Sequence, residues 1–96
     1  MTDHTWEPNP DWQRLDSPAE GDIVQFKLTS TLSYRVNVIV ASVDEDNITG
    51  IVEIVSDWYN PTYQITGGDI LSLVGKKLTF KKHLMQNIIK KPTHLK

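Results

Sequence analysis

Short segments of alternating apolar and polar residues recur between positions 23 and 81 and leave this chain few folds other than a β-sheet. Segment 23–30 reads IVQFKLTS and places Val24, Phe26 and Leu28 on one side of an extended chain, with polar side chains on the other. Because successive side chains of a strand point to opposite faces, this period of two predicts a strand with one buried face.

A hairpin is predicted immediately after this strand. Segment 34–43 alternates again and is rich in β-branched residues, whose stiff side chains suit a pleated surface. The acidic segment 44–47 is a turn signal, because Asp and Asn side chains bond to nearby backbone groups. Segment 48–59 then returns antiparallel. Gly50 predicts a bulge or bend there, and the apolar run 48–55 predicts that both faces are at least partly covered.

The C-terminal half predicts shorter elements. A brief strand at 63–66 precedes a short helical stretch at 69–74, which Asp69 caps and Gly75 stops. Alternation predicts another strand at 76–82. The segment 83–89 is compatible with a helix or with a tight turn at 84–87 and a strand at 88–90. The second alternative is preferred because adjacent isoleucines favour strands.

Residues 1–20 are acidic and contain three prolines, which predicts an irregular arm instead of a helix or central strand. The arm also contains Trp6, Trp12 and Leu15, and burial of one large apolar side chain contributes roughly 1.5–3 kcal/mol. We therefore expect residues 12–15 to lie against the core. The alternative is a free arm whose tryptophans anchor a partner.

About five short antiparallel strands in fewer than 80 residues predict a small β-barrel, since curling covers the apolar face and the edges. The order of GDIVQF at 21–26, the turn at 44–47, and GKKLTF at 75–80 before a turn and two isoleucines resembles SH3-like and Sm-like small barrels. The resemblance covers residues 21–90 and concerns the fold. The predicted organisation is an arm at 1–20, a barrel at 21–91 and a frayed tail at 92–96.

Motifs for catalysis are lacking in the sequence. There is no cysteine, no nucleophile elbow, no phosphate-binding glycine loop and no H-E-x-x-H motif. The three histidines are far apart or near the termini, so we predict neither an enzyme, nor a cofactor, nor a metal site. The N-terminus lacks the pattern of a secretory leader, and no apolar run is long enough to span a membrane. The expectation is a soluble cytoplasmic protein, of bacterial type, that makes no membrane contact.

The segment DWYNPTY at 57–63 concentrates aromatic residues around a turn and is the first candidate binding site. Trp58, Tyr59 and Tyr63 would bind a protein partner, since aromatic loops form stacking platforms and peptide-binding grooves. Asp57 would repel phosphate and suit a basic or proline-rich partner. The alternative is structural: a long loop over a small barrel needs bulky side chains to plug the barrel end.

The distribution of charge gives the second candidate site. Residues 1–69 carry all twelve acidic residues and only three basic ones, whereas residues 76–96 carry seven lysines. Lys77, Lys81, Lys90 and Lys91 would contact the phosphates of a nucleic acid if they faced one way. The preferred alternative is a solvated face that protects a strand edge and is partly neutralised by the acidic arm, and the third is a contact for an acidic protein.

Three functions remain open from the sequence. The leading one is a non-catalytic module that binds a protein partner through the aromatic loop and the barrel edges. The alternatives are a nucleic-acid-binding barrel that uses the lysines, and a structural or accessory subunit of a phage or mobile element. The expected assembly is a monomer or a weak homodimer.

Overall fold

The computed structural model of this chain describes residues 4–90, which form six β-strands and three short 3-10 turns and contain no α-helix. The turns are Trp12–Arg14, Asp69–Leu73 and Lys82–Leu84. The strands are β1 (Thr5–Trp6), β2 (Ile23–Thr29), β3 (Ser33–Val43), β4 (Asn47–Asp57), β5 (Lys77–Lys81) and β6 (Met85–Ile89).

All strand pairs are antiparallel, and the order across the sheet is β1-β2-β3-β4-β5. Strand β6 also pairs with β2, so β6 and β1 lie beside the two ends of the same strand. Strand β5 pairs with β4, and β6 pairs with β2. A single 3-10 turn connects β5 to β6. Only a strongly curled sheet permits so short a connection. The prediction of a mainly β, small-barrel fold is confirmed.

An aromatic cluster forms the centre of the core. The rings of Phe26 and Phe80 stack with their centroids 4.0 Å apart. The Trp6 ring meets both edge-on, at 6.2 Å and 4.9 Å. The inward faces predicted from alternation are those that the structure buries, and the buried apolar side chains are Val24, Phe26, Leu28, Val36, Val38, Val40, Ile48, Val52, Val55, Ile70, Phe80 and Met85.

Gly50 of β4 lies close against β3. A Cβ atom at this position would be 2.5 Å from Cγ1 of Val38 and would also overlap the carbonyl of Ile39. The bulge next to Gly50 lies on the partner strand, where Ala41 is the extra residue, and a second bulge lies on β4 itself, where Glu53 is the extra residue. Both faces of this strand were predicted to be at least partly covered, and the outer face is the less covered of the two, with Ile51 43% exposed.

The arm is irregular except for β1 and the turn Trp12–Arg14. As expected for residues 12–15, Trp12 and Leu15 pack against the core, and so does Trp6. Asn9 fastens the arm to the barrel, since its backbone N–H donates to the carbonyl of His83 at 2.8 Å and its amide donates to that of Met85 at 2.9 Å. The expected tail at 92–96 lies outside the described residues.

The C-terminal half departs from prediction in three details. Instead of a strand at 63–66, one isolated bridge joins Gln64 to Ser56. The short helical stretch is a 3-10 turn that Gly68 precedes, with φ +93°, and Asp69 does not cap it. The turn before β6 comes earlier than predicted, at Lys82–Leu84, because Met85 already belongs to the strand and is buried opposite Phe26.

Candidate functional site

The aromatic loop, residues 58–66, is held in one conformation by Asp57 at the end of β4. The Asp57 carboxylate accepts hydrogen bonds from the backbone N–H groups of Tyr59 at 3.0 Å and Asn60 at 2.8 Å. The backbone N–H of Tyr63 donates to the carbonyl of Asn60 at 2.9 Å, and its own carbonyl accepts from the N–H of Asp57 at 3.0 Å. These bonds return the chain to the edge of β4 and close a compact turn.

Trp58 is the anchor of this loop and is half-buried. The guanidinium carbon of Arg35 lies 4.4 Å from the centroid of the indole ring, and one of its nitrogens donates to the Trp58 carbonyl at 2.6 Å. The ammonium group of Lys27 lies 5.0 Å from the same ring and 5.8 Å from the ring of Tyr59. Both cations therefore face an aromatic surface, which attracts positive charge.

Lys27 and Arg35 are directly opposite each other on β2 and β3. Like charges in that position repel, so the pair needs compensation from its surroundings. The indole face and the Trp58 carbonyl provide it, together with the Gln25 side-chain oxygen, which accepts from Arg35 at 3.1 Å. Sequence reasoning missed both cations as parts of the site, although the alternation places them on the outward face where the loop begins.

Gln25 is the centre of a polar network under the same face. It is buried, its amide nitrogen donates to Asn37 at 3.1 Å, and its oxygen accepts from Asn87 at 3.2 Å. These bonds link β2, β3 and β6 beside Arg35. Buried polar groups that satisfy one another fix side-chain positions, so the network gives the Arg35–Trp58 contact a rigid base.

Tyr59 and Tyr63 are the most exposed of the large hydrophobic side chains in the described part of the chain, at 78% and 62%. Side chains that plug the barrel end would be buried, so that alternative does not apply to Tyr59 and Tyr63. The loop and the following turn contribute aliphatic side chains to the core instead, with Ile70 buried and Ile65 and Leu73 packed against it. The three predicted residues thus divide into one anchor and two exposed rings.

Of the four predicted lysines, the structure describes Lys77, Lys81 and Lys90. Lys77 and Lys81 are exposed on β5. The ammonium group of Lys90 lies 3.0 Å from the buried carboxylate of Asp22 and donates to the Ser17 carbonyl at 2.7 Å. Lys91 lies outside the described residues. Lys90 therefore fastens the acidic arm to the barrel.

In the turn between β3 and β4, the charge of the Asp44 carboxylate is stabilised by backbone groups of the turn itself. The pKa of Asp44 is lowered from its ordinary value of 3.8, chiefly because the backbone N–H groups of Asn47 and Asp46 donate to its carboxylate. The nearby charge of Lys82 lowers the pKa further, as the smallest contribution. Hydrogen bonds within the turn, which stabilise the ionised form, thus account for most of the shift.

The replacement Lys90→Met tests the role of this lysine. We expect the free energy of unfolding to fall by about 1–2 kcal/mol, less than for a fully buried pair, because about half of the Lys90 side chain is in water. The loss should shrink in high salt, which screens the half-exposed pair. Urea unfolding at two salt concentrations measures it, with Lys81→Met as the control. An equal loss in both variants would contradict this role for Lys90.

The outer face of the sheet carries four isoleucines in register across four strands. Ile89, Ile23, Ile39 and Ile51 are successive cross-strand neighbours on β6, β2, β3 and β4. This isoleucine ladder is one residue wide, and its three most exposed members are 37–45% exposed. Its exposed apolar surface area is much less than the roughly 800 Å² that each partner buries in a stable interface. A monomer or weak homodimer stays the prediction.

Within residues 4–90 no group of three or more His, Asp or Glu side chains is placed to hold a metal ion. None of the elements that the structure describes is a helix long and apolar enough to cross a membrane. A scan against protein-family models and searches of curated proteins and of solved structures found no match. The basis for a function is therefore the geometry of the aromatic loop, the lysines and the barrel.

Proposed function

We propose that this protein is a non-catalytic module that binds a protein partner through Tyr59 and Tyr63. The observation that carries the proposal is the contrast within the aromatic loop: two exposed rings stand on a turn fixed by Asp57 and anchored by Trp58. Aromatic side chains held in place before binding lose little conformational entropy, which is why they dominate interface energies.

Between the two predicted partner types, basic or proline-rich, we favour a proline-rich segment, because Lys27 and Arg35 lie beside the rings of the loop and would repel positive charge. Asp57 contributes a negative charge at the base of the turn, and its hydrogen bonds to the loop backbone keep the carboxylate in place. Proline-rich segments are preformed extended helices that dock between aromatic side chains. Tyr59 and Tyr63, separated by the Asn60–Thr62 turn, are the two rings available for such docking.

The finer fold assignment and the location belong to the same proposal. We place the barrel among the SH3-like small barrels, supported by the single 3-10 turn between β5 and β6 and by the strand order. A cytoplasmic location is supported by the absence of cysteine, as expected in a reducing compartment, and a bacterial source is proposed with it.

A nucleic-acid-binding surface is the alternative, and one observation favours it. Lys27 lies beside the rings of Trp58 and Tyr59, so a positive charge adjoins aromatic faces on which a base could stack. Lys77 and Lys81 add positive charge on β5, but Lys90 forms an ion pair with Asp22. Three separated cations provide a weaker phosphate contact than the continuous array that the sequence allowed.

The double replacement Tyr59→Ala, Tyr63→Ala tests the proposal. Both side chains are exposed, so we expect an unchanged melting temperature and at least about a tenfold loss of partner retention. Affinity capture with the full-length protein, quantified by mass spectrometry with and without nuclease, is the measurement. The control is Val74→Ala, which truncates another exposed apolar side chain away from the loop.

Three results would contradict the proposal. The first is a partner retained equally by the wild type and the double variant. The second is complete loss of the captured protein after nuclease treatment. The third is tight binding of oligonucleotides at about 50 mM salt, where electrostatic affinity is strongest; the last two results would favour the nucleic-acid alternative.

A further inference from the structure

A second concave surface lies at the end of the barrel where β2 turns into β3. It is an open cleft of about 840 Å³, within the range of roughly 300–1,000 Å³ that ligand sites occupy. The apolar side chains that line it come from the arm, the β2–β3 turn and the turn Asp69–Leu73, and they are Trp6, Leu28, Leu32, Tyr34, Ile70 and Leu73. The aromatic loop contributes none of the lining residues.

The floor of the cleft is rigid. Trp6 is held edge-on against Phe26 and Phe80, and its backbone pairs with Leu28 of β2. Ile70 is buried and Leu73 packs against the core. A ligand would therefore meet a preformed surface with three aromatic rings, those of Trp6, Tyr34 and His4, and would cause little reordering of the protein.

The rim is polar and has one carboxylate, that of Asp69. No lysine or arginine is found among the described residues that line the cleft. The Asp69 side chain has neither a hydrogen-bond donor nor a cation as its partner within residues 4–90, unlike Asp22, Asp44 and Asp57. Gly67 and Gly68 form the adjacent rim, where a Cβ atom would meet nothing within 4 Å, and Asp69 itself is exposed.

We propose that this cleft is a binding site for an organic ammonium ion with an aromatic or aliphatic body. The body occupies the apolar floor, where burial of its surface drives binding. The ammonium group lies at the rim, attracted by the Asp69 carboxylate. The site is separate from the tyrosines of the aromatic loop and does not depend on the function proposed for them.

Three probes of similar size and different charge test the proposal: phenethylamine, 2-phenylethanol and 3-phenylpropionate. We expect the amine to bind about three- to fivefold more tightly than the alcohol, which is the ratio that a partly exposed ion pair supports, and the acid to bind most weakly. Amide chemical shifts of the full-length protein provide both the dissociation constants and the location, with the largest changes at residues 28–34 and 67–73.

Three variants separate the charge effect from other causes. Asp69→Asn should abolish the preference for the amine over the alcohol, and the control Asp16→Asn, which removes an exposed acid outside the cleft, should preserve it. The Tyr59→Ala, Tyr63→Ala variant should bind all three probes like the wild type. Any of four results would overturn the proposal. These are equal affinities for the three probes, a preference for the amine that survives Asp69→Asn, chemical-shift changes outside the cleft, and no binding at about 10 mM.

Discussion

Replacing Phe26 with alanine is expected to lower the free energy of unfolding by about 3–5 kcal/mol, the largest effect of any single change considered for this protein. Phe26 has no exposed surface, stacks on Phe80 and supports the edge of Trp6. Its strand β2 pairs with β1, β3 and β6, so a cavity there weakens contacts among most of the sheet.

Thermal and urea unfolding of Phe26→Ala would show a melting temperature lower by about 12 °C or more for a domain of this size. Phe26→Leu, which keeps most of the apolar volume, should lose less and remain folded if the alanine variant does not. Tyr59→Ala is the control, because it removes a ring of similar size from an exposed position. Similar losses for Phe26→Ala and Tyr59→Ala would show that the aromatic cluster is not the centre of the core.

The second large effect is expected from Gly50→Ala, which adds one methyl group between β3 and β4. The new carbon would overlap the Ile39 carbonyl and the Val38 side chain. Backbone cannot give way as a flexible side chain does, so the strands must separate, at a cost of about 1–3 kcal/mol or more. Loss of close pairing there should also increase amide exchange at Val38 and Val52, which are opposite each other.

The matched control is Gly67→Ala, the same substitution where the added carbon meets nothing within 4 Å. There the free energy of unfolding should stay the same or rise by up to about 1 kcal/mol, because alanine restricts the unfolded chain. If both variants unfold at the same urea concentration, then the contact with β3 does not prevent a side chain larger than that of glycine at position 50.

For the aromatic loop, the sequence predicted the position of the turn better than the contacts of its three aromatic residues. A run with Trp58, Tyr59 and Tyr63 around a turn marked the loop, because aromatic residues are rare on exposed turns. The division of roles depended on Arg35, which lies 4.4 Å from the Trp58 ring although it is far away in the chain. No local pattern encodes that contact, so the prediction could not separate the anchor from the two exposed rings.

The lysines illustrate the same difference. Alternation correctly placed Lys77 and Lys81 on the exposed face of β5. The pairing of Lys90 with Asp22 joins residues at opposite ends of the barrel sequence, and β6 brings them together only because it lies beside β2. The charge composition indicated a balance between the acidic and basic parts of the chain. The order of the strands in the sheet determined that Lys90 pairs with Asp22.

By itself, the sequence determined the four longer strands, β2 to β5, and which of their faces are buried. That information is local, since side chains two residues apart share a face and an alternating segment can bury only one of them favourably. The tertiary structure decided the rest: β6 beside β2, the arm as a two-residue strand over Phe26, and the cleft between the arm and the turn Asp69–Leu73. These features arise from the curling of the sheet, which brings together residues whose separation in the chain gives no local signal of their contact.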